Sequence, residues 1–338
     1  MVFRQIREKT AAPKLVLIGN FGAGNIGDEL ILAGFLQKIG KELPRAQVVV
    51  LASEPKLVRR FHGVDSLPQI PTGLRSFWKL NWLRSLKRIK EADAIIFPGG
   101  GLFNDQESPR SVWIWGWPIL ITRYFWKPVF LLGQSVGPFE KNWTQKFTKF
   151  CLGKTEWIGT RDNARLKKLG LPAKKIKSGK DSAFWLSNRL PKTREIKKRG
   201  VLKVLISVRD FPKIEPQFWD ELAQALDKLA EKKRVRISFA EFGRGDQEIW
   251  KMLCEKAQNS KIWKVLKLPE SAEEILKDVK KFDLVIGMRL HSLITAKLTG
   301  VSAIGLAYAK KVSDLAEKSI PIADFKKEKL GSLITQIK

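Results

Sequence analysis

The feature that most constrains this chain is an alternation of short apolar runs with longer amphipathic stretches, which is carried through once and then begins again. In the first half, the runs at 15–19, 48–51, 94–97, 129–132 and 157–160 read as strands. Helical periodicity follows at 29–41, 143–152 and 163–169. The stretch 188–200 is basic, contains Pro191 and has no period. Beyond it, strands are predicted at 203–208, 235–240, 284–287 and 303–306, with helices at 216–232, 246–258, 272–280 and 290–298. Strands alternating with helices call for a parallel sheet built from βα units. The prediction is an α/β protein of two Rossmann-like domains, 1–187 and 201–338, joined by a linker at 188–200 and facing across a cleft. Open parallel sheets bind ligands beyond the carboxyl ends of their strands, so the informative residues should follow strands.

Composition narrows the function classes. A length of 338 residues suits two domains, and 44% hydrophobic with 29% charged residues describes a globular protein. Cys151 and Cys254 are far apart and belong to no ligand-spaced cluster. Neither a disulfide framework nor a metal site is expected, and a reducing, cytoplasmic location is. Residues 1–14 are basic and polar, so no secretory leader is expected. The longest apolar run, 112–121, is followed by Arg123 and is well short of the roughly 20 residues that span a bilayer.

The net charge of +29 points toward an anionic partner: nucleic acid, a membrane surface or an anionic substrate. No helix-turn-helix, zinc-finger or RNP-like spacing accompanies it, so no specific nucleic acid is expected. An aromatic cluster comprises Trp113, Trp115, Trp117, Tyr124, Phe125 and Trp126, with Trp78 and Trp82 upstream and Lys79, Arg84, Lys87 and Arg123 flanking. It reads as a buried aromatic core or sugar platform, or as a peripheral contact with an anionic membrane.

Several motifs stand at predicted strand ends. Gly19-Asn20-Phe21-Gly22-Ala23-Gly24-Asn25-Ile26-Gly27-Asp28-Glu29 contains a formal G-x-G-x-x-G, but Glu54 is out of register for a ribose-binding acid and Asp28 would repel a diphosphate. The dinucleotide reading is rejected. What remains is a tight turn capped by Asp28, or a loop that turns Asn25 and Asp28 toward a substrate. Phe97-Pro98-Gly99-Gly100-Gly101 lets a ligand approach the backbone at Gly100 and Gly101, with Asp105 just beyond. Gly133-Gln134-Ser135-Val136-Gly137-Pro138 offers Gln134 and Ser135 as donors. Arg161 and Asp162 read as structural, with Asp162 an N-cap. Arg209 directly follows the first strand of the second domain. In Gly287-Met288-Arg289-Leu290-His291-Ser292, a strand end, a helix start, Arg289 and His291 converge, which suits a phosphate or carboxylate. His62, the other histidine, reads as a surface residue.

Taken in order, these segments, with Asp181-Ser182-Ala183-Phe184 and Ser207-Val208-Arg209-Asp210, resemble the polysaccharide pyruvyltransferase family across roughly residues 14–315. That family includes enzymes that pyruvylate bacterial cell-wall glycans. The resemblance implies a GT-B-like fold, phosphoenolpyruvate as co-substrate with no other cofactor, and pyruvyl transfer as a ketal onto a sugar. It implies that Arg209, Arg289 and His291 bind or activate the donor in the C-terminal domain, and that Lys311 matches the family's lysine in Tyr308-Ala309-Lys310-Lys311-Val312. The acceptor would meet the N-terminal domain, with Asp28 or Asp105 as base. Family acceptors are often lipid-linked. Ala309 and Lys310 depart from the family's Tyr-Asp-Pro-Lys-Val, and Ser182 from a usual proline. The alternative activity is that of a GT-B glycosyltransferase using a nucleotide sugar.

Overall fold

The computed structural model describes all residues except 1, 74–76, 79, 196–199, 213, 232–233, 259–262, 317 and 338; the side chains of 163, 164 and 335–337 are also left aside. Lys79 of the cationic flank, residues 196–199 of the linker and the predicted helix end at 232 lie outside the described residues. The chain divides into two compact units, Met1–Leu186 and Ser187–Lys338.

In the first unit, β1 (Lys14–Ile18), β2 (Gln47–Ala52), β3 (Asp65–Pro68), β4 (Ala94–Phe97), β6 (Val129–Val136), β7 (Trp157–Thr160) and β8 (Ile176–Ser178) form a parallel sheet in the order β3-β2-β1-β4-β6-β7-β8, and β5 (Gly100–Phe103) pairs with β6. Successive residues of a strand point to opposite faces. On β1, Val16 and Ile18 enter one apolar core, while Leu15 and Leu17 enter another. Helices therefore cover both faces, which is why these strands read as unbroken apolar runs.

In the second unit, β9 (Leu202–Ser207), β10 (Val235–Ala240), β11 (Lys264–Leu266), β12 (Leu284–Gly287), β13 (Ser302–Ala307) and β14 (Lys318–Pro321) form a parallel sheet in the order β11-β10-β9-β12-β13-β14. Both sheets grow outward from their first strand in one direction and then resume on its other side. This reversal creates a topological switch point between β1 and β4 in one unit and between β9 and β12 in the other.

The fold is thus α/β with two Rossmann-like units. Three details add to the sequence reading. Among the glycines after β4, Gly100 begins a short strand paired with Gln134. Strand β6 runs on through Gln134 and Ser135 instead of ending before them. In the described part of the linker, Arg194 donates its backbone N–H to Gly300 O (2.8 Å) and its Nη2 to Lys280 O (2.9 Å). No described helix is long and apolar enough to cross a membrane.

Candidate active site

The switch point of the second unit is built on the helix Leu290–Thr299. Its N-cap residue is Arg289, which offers no side-chain cap to the first N–H groups. Helix N-termini that lack a capping oxygen keep N–H donors and a partial positive charge for an anion. Arg289 adds a full charge, and its direction is fixed. Asp246, at the start of the helix Asp246–Lys256, is fully buried and accepts from Arg289 Nε at 3.1 Å and also from Nη2. The same carboxylate accepts from the backbone N–H groups of Phe242 (3.1 Å) and Gly243 (3.0 Å). Burial pushes the Asp246 carboxyl up from its ordinary value, and the guanidinium and the two N–H donors oppose that push.

Gly243 is required here for space. A Cβ at that position would lie 2.6 Å from Arg289 Nη2 and 2.8 Å from Cζ. The guanidinium is therefore pressed flat against the β10 loop, with its Nε–Nη2 edge committed to Asp246. Sequence reasoning placed Asp246 at a helix start but missed its role, because its partner is 43 residues away.

The adjacent strand ends add two cations. Arg209 follows β9, and Lys311 lies in the short helix Lys310–Ser313 that follows β13. Both pack on one ring: Arg209 Cζ lies 5.6 Å and Lys311 Nζ 5.5 Å from the centre of Tyr308. Phe211 packs against Tyr308 with ring centroids 4.6 Å apart and planes tilted by 46°, and also receives Arg209 at 5.8 Å. A cation over an aromatic face is held by the ring quadrupole. Tyr308 thus gathers two positive groups, one on each side of the β12 loop. The lysine of the segment that departs from the family pattern remains in this cluster. His291, in the first turn of Leu290–Thr299, is partly exposed.

The first unit's switch point is of another kind. Asp28 is buried, and its Oδ2 accepts from Asn20 Nδ2 (2.9 Å) and Asn25 Nδ2 (2.7 Å). It does not cap the helix Ile26–Glu42. Asn25 does, accepting from Gly27 N at 3.1 Å. Asp28 stands beside the β4 end: a Cβ built on Gly100 would lie 3.7 Å from its Oδ1. Gly101 is exposed next to it.

His62 also needs correction. Its side chain is only 2% exposed, and its Nε2 lies 2.8 Å from Glu29 Oε2, while Glu29 Oε1 accepts from Gly22 N at 2.7 Å. The histidine therefore braces the glycine-rich turn through Glu29. Its apolar-side burial could not be read from a stretch that is polar in sequence.

Asp105, an expected base, is committed elsewhere. It accepts from Glu140 N (2.7 Å), Lys141 N (2.9 Å) and Thr144 Oγ1 (2.6 Å), which fastens the start of the helix Asn142–Gly153. Burial acts to raise its carboxyl, but these hydrogen bonds outweigh it and hold the group below its ordinary value. Gln134 is fully buried and donates to Phe97 O at 3.4 Å, so it is part of the sheet interior, whereas Ser135 is partly exposed. Asp162 caps its helix by accepting from Arg165 N at 3.1 Å, as expected. Arg161 pairs with buried Asp181 at 2.7 Å. Ser182, the departure from proline, donates its hydroxyl to Pro98 O and so ties that turn to the β4 end.

The similarities to known proteins bear on the fold and the family. The chain is 25% identical over 211 residues to the amylovoran biosynthesis protein AmsJ of Erwinia amylovora, a match covering 52% of this chain and 50% of that protein. The match therefore spans about half the length of that curated relative. Among solved structures, Anabaena Alr3699/HepE in complex with UDP-glucose superposes with a TM-score of 0.62 at 13% identity, covering 96% of this chain and 89% of that one. The UDP-GlcNAc 2-epimerase of Neisseria meningitidis does so with a TM-score of 0.63 at 11% identity, covering 96% and 91%. At those identities the likeness shows the fold alone, a GT-B-like pair of Rossmann units. The family profile described as polysaccharide pyruvyl transferase matches residues 25–310, most of the chain, including Asp28, Arg209, Arg289 and His291 but ending just before Lys311. The chain belongs to the polysaccharide pyruvyl transferase family.

Proposed function

We propose that this protein transfers a pyruvyl group from phosphoenolpyruvate to two hydroxyls of one sugar in a cell-surface or cell-wall polysaccharide precursor, forming a cyclic ketal. The observation that carries the reading is the gathering of Arg209, Arg289, His291 and Lys311 at the carboxyl ends of β9, β12 and β13. Phosphoenolpyruvate carries a phosphate and a carboxylate. A site for it needs several cations, and arginine forks suit both groups. With its Nε–Nη2 edge bound to Asp246, Arg289 has its remaining edge pre-oriented for such an anion.

The chemistry follows from the residue types. His291 delivers a proton to the methylene carbon, which makes the neighbouring carbon electrophilic. One acceptor hydroxyl adds there and loses its proton. The C–O bond to phosphate breaks, and Arg209, Arg289 and Lys311 neutralise the charge that develops on the departing phosphate. The second hydroxyl adds to the same carbon and closes the ring. The two hydroxyl protons balance those taken up by the methylene and the phosphate. No cofactor is needed for this sequence. Asp28 is the proposed base for the acceptor, since Asp105 is held by three donors and its depressed pKa makes it a weak one. The acceptor is proposed to meet the first unit near Asn25, Gly100, Gly101 and Ser135, and to be lipid-linked at the inner face of the plasma membrane.

The test is phosphate release from phosphoenolpyruvate across a panel of lipid-linked and nucleotide-linked sugars. Turnover with at least one acceptor, abolished in His291→Ala, is the expected result; near-normal turnover in that variant sinks the role of His291. A second reading is a nucleotide-sugar glycosyltransferase, favoured by the UDP-sugars bound in the structures of like fold. Stabilisation by UDP-glucose with none by phosphoenolpyruvate would select it.

A further inference from the structure

The helices Arg110–Tyr124 and Asn142–Gly153 pack side by side in the first unit and expose aromatic rings that a lone globular surface would ordinarily bury. Trp113 is 41% exposed, Trp143 50%, Phe150 53% and Tyr124 79%. The spacing explains the face. Trp113, Trp117 and Tyr124 share one side of the first helix, and Trp143, Phe147 and Phe150 share one side of the second, at the three- and four-residue intervals of neighbours on a helix. Val112, Trp115, Ile119 and Thr122 occupy the buried side of the first helix, and Thr144, Thr148 and Cys151 that of the second.

The rings form a joined plate. Trp113 stacks on Trp117 at 5.5 Å with 14° between planes, and on Phe147 at 5.4 Å with 28°. Gly116 makes this contact possible: a Cβ there would lie 2.6 Å from the Phe147 ring and 2.8 Å from Cys151 Sγ. Phe150 carries Lys154 over its face at 5.2 Å.

Cations predominate around the plate. Neither helix contains an Asp or Glu, while Arg110, Lys146, Lys149 and the adjoining Lys141 and Lys154 are cationic and exposed. The nearest carboxylates in sequence are Glu107 and Glu140, before the two helices, and Glu156, which is paired with Arg123 at 3.1 Å. Tryptophan and lysine around an apolar plate match the headgroup region of an anionic bilayer, where rings enter the acyl boundary and ammonium groups meet lipid phosphates. Both helices follow strands of a parallel sheet, so their first turns, with Trp113 and Trp143, stand at the carboxyl edge that also holds Asp28 and Gly100.

We propose that this aromatic, cationic face of the helices Arg110–Tyr124 and Asn142–Gly153 docks the protein on an anionic lipid bilayer and brings the carboxyl edge of the first sheet to the membrane surface. The inference deepens the reading of a lipid-borne acceptor, but its test does not depend on turnover. Wild-type protein and two variants, Trp113→Ser/Trp143→Ser/Phe150→Ser and Lys146→Glu/Lys149→Glu, are sedimented with vesicles of phosphatidylcholine alone or with phosphatidylglycerol, and thermal melts verify folding. The lysine variant changes only exposed side chains and keeps the test open if the aromatic one fails to fold.

Wild type is expected to bind the anionic vesicles and not the neutral ones. Each variant should bind them at least about tenfold more weakly, since each surface lysine contributes about fivefold in affinity. Equal binding by wild type and the lysine variant overturns the proposal. So does a wild type that ignores anionic vesicles, or an aromatic variant that binds them as wild type does while dissociating a dimer. Phosphate release with a water-soluble acceptor, measured separately, reports on the pyruvyl-transfer reading alone.

Discussion

At the switch point of the first unit, the two flanking strands lead into Asp28 and Gly100; at that of the second, they lead into Arg209 and Arg289. The sheets reverse in the same way, so the backbone brings two loops together at the same place in each. The charge placed there differs. In the first unit the polar groups answer one another: Asn20 and Asn25 donate to Asp28, and His62 meets Glu29. In the second, a helix start without a side-chain cap adjoins Arg209, Arg289 and Lys311, and Arg289 is paired with Asp246. Topology supplies a crevice, and side chains decide what enters it.

The largest expected effects break the comparison at its cationic side. Arg289→Ala and His291→Ala should each lower kcat/KM by about 10²–10⁴-fold, the range for losing an electrostatic stabiliser or a general acid. Asp28→Asn should lower kcat while leaving the affinity for phosphoenolpyruvate in place. Steady-state kinetics separates these outcomes; equal losses of donor affinity in all three would erase the distinction between the units.

Asp246→Ala removes one partner of a buried pair and should cost about 3–5 kcal/mol in urea unfolding. An unchanged unfolding midpoint would mean that Arg289 is not held as described. Gly243→Ala is a gentler probe of the same contact. Its added methyl must displace the guanidinium, and donor KM should rise about tenfold to a hundredfold with little change in fold, because small misplacements of a binding group are expensive.

On the first unit, Asp105→Asn should destabilise by about 1–2 kcal/mol, the scale of a lost helix cap. The sign of its pH dependence follows from a carboxyl held below its ordinary value of 3.8. Its contribution is present above that value and fades as pH falls through the lowered folded value. The gap between wild type and variant should therefore close in strong acid, as followed by unfolding at several pH values. The smallest effect concerns Cys151, buried, with its thiol pushed up to about 12 by burial. Alkylating reagents should label the more exposed Cys254 in the native protein and reach Cys151 only on unfolding.

Much of this architecture was legible from the alternation of apolar runs. Buried parallel strands such as Ala94–Phe97 and Leu284–Gly287 announce themselves, and Asp162 marks its helix as an N-cap should. The edge strands Asp65–Pro68 and Ile176–Ser178 did not, since a strand buried on few sides needs little apolar sequence. Gly100–Phe103 escaped notice because glycine signals a turn, and the pairing that makes it a strand comes from β6. The helix Arg110–Tyr124 contains Pro118 and aromatic residues on every side, so no amphipathic period shows. The aromatic cluster then divides by burial: Trp115 lies in the core while Trp78 and Trp126 are exposed. Of the site, Arg209, Arg289 and His291 were visible from their places after strands. Asp246 and His62 were not, because their partners are 43 and 33 residues away and only the fold joins them.

The central claim is that the second unit's switch point, and not the first's, takes a small doubly anionic ligand. The direct measurement is calorimetric titration of phosphoenolpyruvate into wild type, Arg209→Ala, Arg289→Ala and Asp28→Asn, each verified as folded. The account predicts binding by wild type and Asp28→Asn with similar affinity, and at least about a tenfold loss in both arginine variants. Undiminished binding by the arginine variants, or its loss in Asp28→Asn alone, would contradict it.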